Sequence, residues 1–361
     1  MGVYTCSSTM RESMARGDLR RPWTRTCALP VAGSASPRYA SIISFGDSLA
    51  DTGNFLLSGG GGLARRGQPH TLAIRRPPTE AFGLPMLPPY LEGLGQDFRQ
   101  GVNFSVAGTM ALHASFFQTK GIELLTNLSL RVQFHWFEDL KPCLCHSPKD
   151  CKDYLGRSLF LVGEIGGNDY NFPFTFMRSM EEVMSYVPLV VRAISSAVER
   201  LIKLGAVELL VPGNLAIGCN PIYLTLGGSP NASDYDPRNG CLKRFNGFSE
   251  YHNYALLKRE LGVLRKKYPG ARILYADYYM NLAFAWQLSP KPWVRFSNGA
   301  LQACCGGGGP YNFNFSAFCG LPGSSVSGSP HTFVNWDGTH MTEAAYRDLA
   351  ATLIKQLMAP S

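Results

Sequence analysis

Three observations predict an α/β fold built on a parallel sheet. Four short apolar runs, each ending in or running into Gly, Asp or Pro, read as buried strands. Amphipathic stretches of helical period lie between them. The two patterns alternate along the chain, as they do when helices cover both faces of a mostly parallel sheet. Apolar residues make up 45% of the chain and charged ones 17%, which suffices for a core and excludes a disordered chain. No apolar run is long enough to span a membrane.

The first strand is Ser41–Phe45, which runs directly into Gly46. A second candidate, around Leu84–Leu91, is weakened by Pro85, Pro88 and Pro89, which have no N–H to give to a sheet. Leu159–Gly163, Val207–Val211 and Arg272–Ala276 complete the set. Among the helices, Val187, Val190, Val191, Ile194, Val198, Leu201 and Ile202 recur at three- and four-residue spacing, with Pro188 suited to a first turn. A long amphipathic stretch, Leu242–Tyr268, ends at Pro269-Gly270, and Thr342–Met358 closes the chain. Residues 1–40 read as a leader or non-native segment, rich in Arg, Ser and Thr but without the apolar run of a signal-peptide core. The domain is therefore expected at 41–361. Half of the formal charge of +8 falls in those first forty residues, so no nucleic-acid footprint is expected on the domain. The Gly59–Gly62 and Gly306–Gly309 tracts lack the Lys-Ser/Thr of a phosphate loop and read as loops.

Of ten cysteines, eight lie in the domain and cluster in Gly/Pro-rich loops, the pattern of disulfides made in an oxidising compartment. Cys219 and Cys241 flank a loop whose Gly227-Gly228-Ser229-Pro230 and Asp236-Pro237 cannot form a regular element, so a bridge between them is expected. Cys319 is expected to pair with Cys304 or Cys305, and Cys151 with Cys143 or Cys145. A zinc site at Cys143, Cys145, His146 and Cys151 is the rival reading, but the second Cys/His pair it needs is missing, so no metal is expected. Glycosylation triplets start at Asn103, Asn127, Asn231 and Asn314; the last three are the glycosylation candidates.

Four segments carry residue types suited to acyl transfer. Gly46-Asp47-Ser48 follows the first strand and puts a hydroxyl at the carboxyl edge of the sheet, where open α/β folds keep their sites. Asp337-Gly338-Thr339-His340 spaces a carboxylate and an imidazole so that Asp337 could orient the ring while His340 accepts a proton. Each could equally be a helix cap. Asn168 follows the strand Leu159–Gly163, and Gly108 offers an unhindered N–H; both are potential oxyanion donors, though Gly/Asn clusters after strands are also ordinary turn chemistry.

In this order the four segments resemble the plant GDSL esterase/lipase family, a branch of the SGNH hydrolases, whose four letters fall on Ser48, Gly108, Asn168 and His340. Leu209–Cys219 and Cys304–Asn312 resemble it too, and the likeness runs from about Ser41 to the C-terminus. It implies a three-layer α/β/α, flavodoxin-like fold with a five-stranded parallel sheet. It also implies a secreted carboxylic-ester hydrolase in which Ser48 attacks, His340 is the base and Asp337 orients it. The oxyanion would be held by the Ser48 and Gly108 N–H groups and the Asn168 amide, without a cofactor. Leu-Val-Pro-Gly-Asn and Cys-Cys-Gly-Gly-Gly-Gly look closest to members acting on acetyl or aromatic-choline esters, including acetylated wall xylan. The expected partner is thus a small-molecule or cell-wall acyl ester. The alternatives are a catalytically impaired member and a carbohydrate-binding wall protein.

One departure bears on stability. Where the family continues after Arg76-Pro77-Pro78 with a Gly-Arg-x-Ser-Asp-Gly-Arg stretch and most of a first crossover helix, this chain goes directly to Thr79-Glu80-Ala81-Phe82-Gly83. Losing about five large buried side chains at ~1.5–3 kcal/mol each would forfeit roughly 7–15 kcal/mol, with low soluble yield and weak activity as the expected result.

Overall fold

The computed structural model describes residues 38–59, 76–93, 95–281, 296 and 300–359; the expected leader falls almost wholly outside them. Five parallel strands form the sheet, β1 (Ser41–Phe45), β2 (Gly101–Asn103), β3 (Ser158–Val162), β4 (Glu208–Pro212) and β5 (Arg272–Ala276), in the order β2-β1-β3-β4-β5. β1 is buried at every position because both faces are covered, which is why it reads as a continuous apolar run rather than an alternation. Ile42–Ser44 pair with Gly101–Asn103 on one side, and Ser41–Phe45 with Ser158–Val162 on the other.

Helices fill two outer layers. On one face, the Phe45 ring stacks 4.8 Å from Phe134 of the helix Leu130–Leu144. The helix Val187–Leu204 buries Val190, Ile194, Val198 and Leu201, the stripe that the spacing predicts. The opposite face, presenting Ile42, Ser44, Leu161 and Leu210, lies under the C-terminal helix Glu343–Met358. The architecture is the expected three-layer one.

Where expectation and structure differ, the reasons are local. The second strand is not Leu84–Leu91 but Gly101–Asn103, with Pro89 bridged beside Asn103 and the Asn103 N–H donating to Pro88 O at 3.0 Å. Pro88 and Pro89 have no N–H to give to the sheet, so the segment meets it through the Pro88 carbonyl and fringes it instead of joining it. The predicted long helix at 242–268 is three consecutive pieces, Lys243–Glu250, a π-turn at Tyr251–Leu257, and Lys258–Lys267. The π-turn carries Asn253, which accepts from Asn214 N at 2.7 Å and donates to Asn214 O at 2.8 Å, pinning the loop after β4. Asn103 is buried and bonded to Ser105 N, which removes it as a glycan acceptor, whereas Asn127, Asn231 and Asn314 are exposed.

Disulfides join Cys145–Cys151, Cys219–Cys241 and Cys305–Cys319, and Cys304 is a buried free thiol. Pairing Cys145 with Cys151 removes two thiolates from the zinc alternative. Closing the loop between Cys219 and Cys241 contributes about 3 kcal/mol by the chain-entropy model.

The first crossover, from β1 to β2, contains the helices Asn54–Leu57 and Arg76–Ala81, and the latter packs against the C-terminal helix. On this face a cavity of about 50 Å³ remains, bordered by Ile42, Ser44, Thr79, Leu87, Leu349 and Leu353. At about 24 cal/mol per Å³ a vacancy of that size costs on the order of 1 kcal/mol. The expected deficit of ~7–15 kcal/mol assumed that nothing replaces the helix. Phe82, Leu84 and Leu87 are all buried in the main core, and Phe82 packs edge-on against Tyr39.

Candidate active site

In this strand order the chain passes from β1 to β2 on one side and then crosses back past β1 to β3 on the other, a reversal that opens a crevice at the carboxyl ends of the central strands. Ser48 follows β1, Gly108 follows β2 and Asn168 opens the helix Asn168–Thr175 after β3. The turn before Ser48 is held rigidly. Gly46 donates its N–H to Gln133 Oε1 at 2.9 Å, and Gln133 Nε2 donates to Gly46 O at 2.7 Å. A side chain at 46 is forbidden, since its Cβ would lie 2.9 Å from Glu164 O.

Ser48 Oγ lies 2.9 Å from His340 Nε2, and His340 Nδ1 lies 2.9 Å from Asp337 Oδ2. The other oxygen, Asp337 Oδ1, accepts the backbone N–H of Thr339 and of His340, each at 2.7 Å. The capping alternative fails at the C-terminal segment, because the cap of the last helix is Thr342, whose side chain accepts from Ala345 N at 3.3 Å. Burial works against a charged His340 ring, yet Asp337, by charge and hydrogen bond, and Asp47, by charge, outweigh it and raise the pKa above the ordinary histidine value. Burial likewise opposes ionisation of Asp337. The His340 charge and its hydrogen bonds win, and its pKa is lowered. This is the geometry in which an imidazole takes a proton from a hydroxyl and a carboxylate stabilises the resulting cation.

Gly108 sits at the third position of a turn closed by Thr109 N donating to Val106 O at 3.1 Å. Its φ of +79° is what a type II turn demands there, and it leaves the N–H of the central peptide outside the turn's own bond. Asn168 Nδ2 donates to Thr109 O at 3.1 Å and lies 3.4 Å from Asp47 Oδ2, so its donor end faces the same region. Ser48, Gly108, Asn168, Asp337 and His340 line one cleft of about 590 Å³, within the range of small-molecule sites. Phe55, Leu125, Phe172, Ile217, Phe315 and Phe318 contribute apolar wall. The described lining residues include no Lys or Arg. Burial pushes Asp47 up to about 7 and Glu164 well above the carboxylate range, aided by their mutual repulsion in the case of Glu164. The glycan candidates Asn127, Asn231 and Asn314 are not among the lining residues, but Asn127 is two residues from Leu125 and Asn314 is next to Phe315.

Among the described residues no group of His, Cys, Asp and Glu is arranged to hold a metal ion. Sequence reasoning missed Asp51 and Asp169, buried carboxylates directly after the recognised motifs. The only signal for them was a polar residue in a stretch otherwise destined for burial.

A family model described as GDSL-like Lipase/Acylhydrolase matches residues 42–353. Two GDSL esterase/lipases of Arabidopsis thaliana are similar over most of the chain. One is 46% identical over 335 residues, covering 87% of this chain and 83% of its own length. The other is 45% identical over 339 residues, covering 88% and 90%. The sinapine esterase of Brassica napus is 42% identical over 354 residues, covering 89% and 87%.

Proposed function

The chain belongs to the GDSL-like lipase/acylhydrolase family and is a carboxylic-ester hydrolase, and from that premise we propose that it works by serine acyl transfer on acetyl-type esters of bulky alcohols. The observation that carries the reading is the unbroken hydrogen-bonded line from Ser48 Oγ through His340 to Asp337, all three lining the cleft. Ser48 Oγ attacks the ester carbonyl as its proton passes to His340 Nε2, with Asp337 stabilising the imidazolium. The oxyanion accepts from the Ser48 and Gly108 N–H groups and from Asn168 Nδ2. His340 then protonates the leaving alcohol, and a water deprotonated by His340 releases the acid. The protein's own groups suffice for both steps.

The cleft is much larger than an acetyl group, so the bulk of the ester belongs on its alcohol side. The absence of Lys and Arg from the described lining disfavours anionic esters, and the four phenylalanine rings favour an aromatic group. A second reading, an aromatic cationic ester, rests on the same four rings and the lack of Lys and Arg in the described lining; the Brassica napus relative is named for sinapine. The disulfides Cys145–Cys151, Cys219–Cys241 and Cys305–Cys319 and the exposed triplets at Asn127, Asn231 and Asn314 support an extracellular location. No helix among the described residues is long and apolar enough to cross a membrane.

A series of aromatic esters with acetyl, butyryl and octanoyl groups tests the substrate class. kcat/KM is expected to be highest for acetyl and to fall as the acyl chain lengthens; a preference for octanoyl contradicts it. The pH profile tests the base. Only the neutral ring accepts a proton, so kcat/KM is expected to rise with pH through an apparent pKa above the ordinary ~6.5, because His340 is shifted upward. A flat profile between about pH 5 and 9 rules His340 out.

A further inference from the structure

Two buried carboxylates outside the Ser48–His340–Asp337 line connect the three segments around it. Asp51, 3% exposed, accepts four backbone N–H groups. Its Oδ1 takes those of Gly53 and Asn54, each at 2.7 Å, and its Oδ2 takes those of Phe55 at 3.0 Å and Ala107 at 2.9 Å. The first three satisfy N–H groups at and just before the start of the short helix Asn54–Leu57 and need no further explanation. The fourth crosses 56 positions of sequence to the residue before Gly108. Asp169, fully buried, makes the matching tie from the other side. Its Oδ2 accepts from Ala111 N at 2.7 Å and its Oδ1 from Leu112 N at 2.9 Å, across 58 and 57 positions. The turn that presents Gly108 is therefore anchored at its entry to the Ser48 loop and at its exit to the Asn168 helix.

We propose that Asp51 and Asp169 are positioning residues, a pair of splints that fix the distances among the Ser48, Gly108 and Asn168 oxyanion donors. The inference rests on the reading that those three groups hold the oxyanion. Neither carboxylate touches the reacting atoms; each acts through the backbone it holds. Three donors must converge on one oxygen, and the segments bearing them come from three different strands. Backbone pairing in the sheet ends before it reaches them. A carboxylate suits the task because both of its oxygens accept, whereas an amide of the same shape turns an N–H toward another N–H on one side. A misplacement of about 1 Å at a reacting centre costs on the order of 10²-fold in rate.

The test compares Asp51→Asn and Asp169→Asn with the unaltered protein at pH 8.5, where Asp169, pushed up to about 7 by burial, carries its charge. Active sites are counted by the burst of p-nitrophenol released on irreversible reaction with a p-nitrophenyl alkylphosphonate. This separates misfolded molecules from mispositioned ones. kcat per titrated site is expected to fall by about 10–10²-fold, with KM changed far less and the phosphonylation rate constant falling alongside kcat. A lower count of sites with kcat per site unchanged overturns the proposal and leaves the two residues purely structural. Should an Asn variant yield no folded protein, the corresponding Asp→Glu variant, which keeps the charge but lengthens the arm, is read by the same two criteria. Ser48→Ala is assayed in parallel. If it stays active, the underlying reading fails; if it is inactive while the carboxylate variants keep full kcat per site, only the splints fail.

Discussion

Ser48→Ala is expected to remove nearly all ester turnover, a loss on the order of 10⁴-fold or more, while leaving the fold intact. Among the described residues the hydroxyl has one side-chain partner, His340 Nε2 at 2.9 Å, so removing it breaks no buried network on which the sheet depends. The turn itself is held by Gln133 and by Asp47, whose Oδ1 accepts from Leu49 N at 3.0 Å, and these contacts survive the substitution. What remains after truncation is an ester bound beside a base and oxyanion donors with no nucleophile. Turnover with an acetyl ester and a thermal melt, measured on both proteins, check this together. A matching melt with less than a thousandth of the rate is the expected pair, and more than a tenth of the activity retained refutes the mechanism.

Asn168→Ala is expected to be milder, about 10²–10³-fold in kcat, because one donor of three is lost and the other two are backbone groups that no side-chain change removes. The effect belongs in kcat rather than KM, since the amide meets charge that develops only in the transition state. Asn168 Nδ2 also donates to Thr109 O, so a stability loss of about 1 kcal/mol accompanies the kinetic one. Steady-state kinetics over a full substrate range distinguish the two parameters. A variant in which KM rises and kcat holds would make Asn168 a substrate-binding group only.

The parts of this architecture that could be read from sequence are those whose cause is local. β1 and β5 have the predicted bounds, and β3 and β4 are displaced by one residue, since strands buried on both faces advertise themselves as apolar runs. β2 was illegible because it is three residues, Gly-Val-Asn, placed by pairing with Ile42–Ser44 and not by any preference of its own. The Ser48, Gly108, Asn168 and His340 segments were legible because the chemistry they resemble demands those residue types at strand ends. Asp51 and Asp169 were not, since their partners lie 56 to 58 residues away and are backbone groups that leave no trace in composition. The cysteines fall between. Cys219–Cys241 follows from the loop they flank, but only the folded chain chooses Cys305 over Cys304 for Cys319, and Cys145 rather than Cys143 for Cys151. The first crossover reads from sequence as a large deficit because sequence shows which helix is lacking. It does not show that the chain around Thr79 and Leu87 closes on the same face.

The central claim is that a covalent bond forms at Ser48 Oγ. Reaction of the purified protein with the alkylphosphonate, followed by proteolysis and mass spectrometry of the peptides, tests it most directly. One phosphonyl group per chain on Ser48, with loss of ester hydrolysis in proportion and no label on Ser48→Ala, is the result this account predicts. Labelling of another residue in step with inactivation, or full inactivation with Ser48 unmodified, would contradict it.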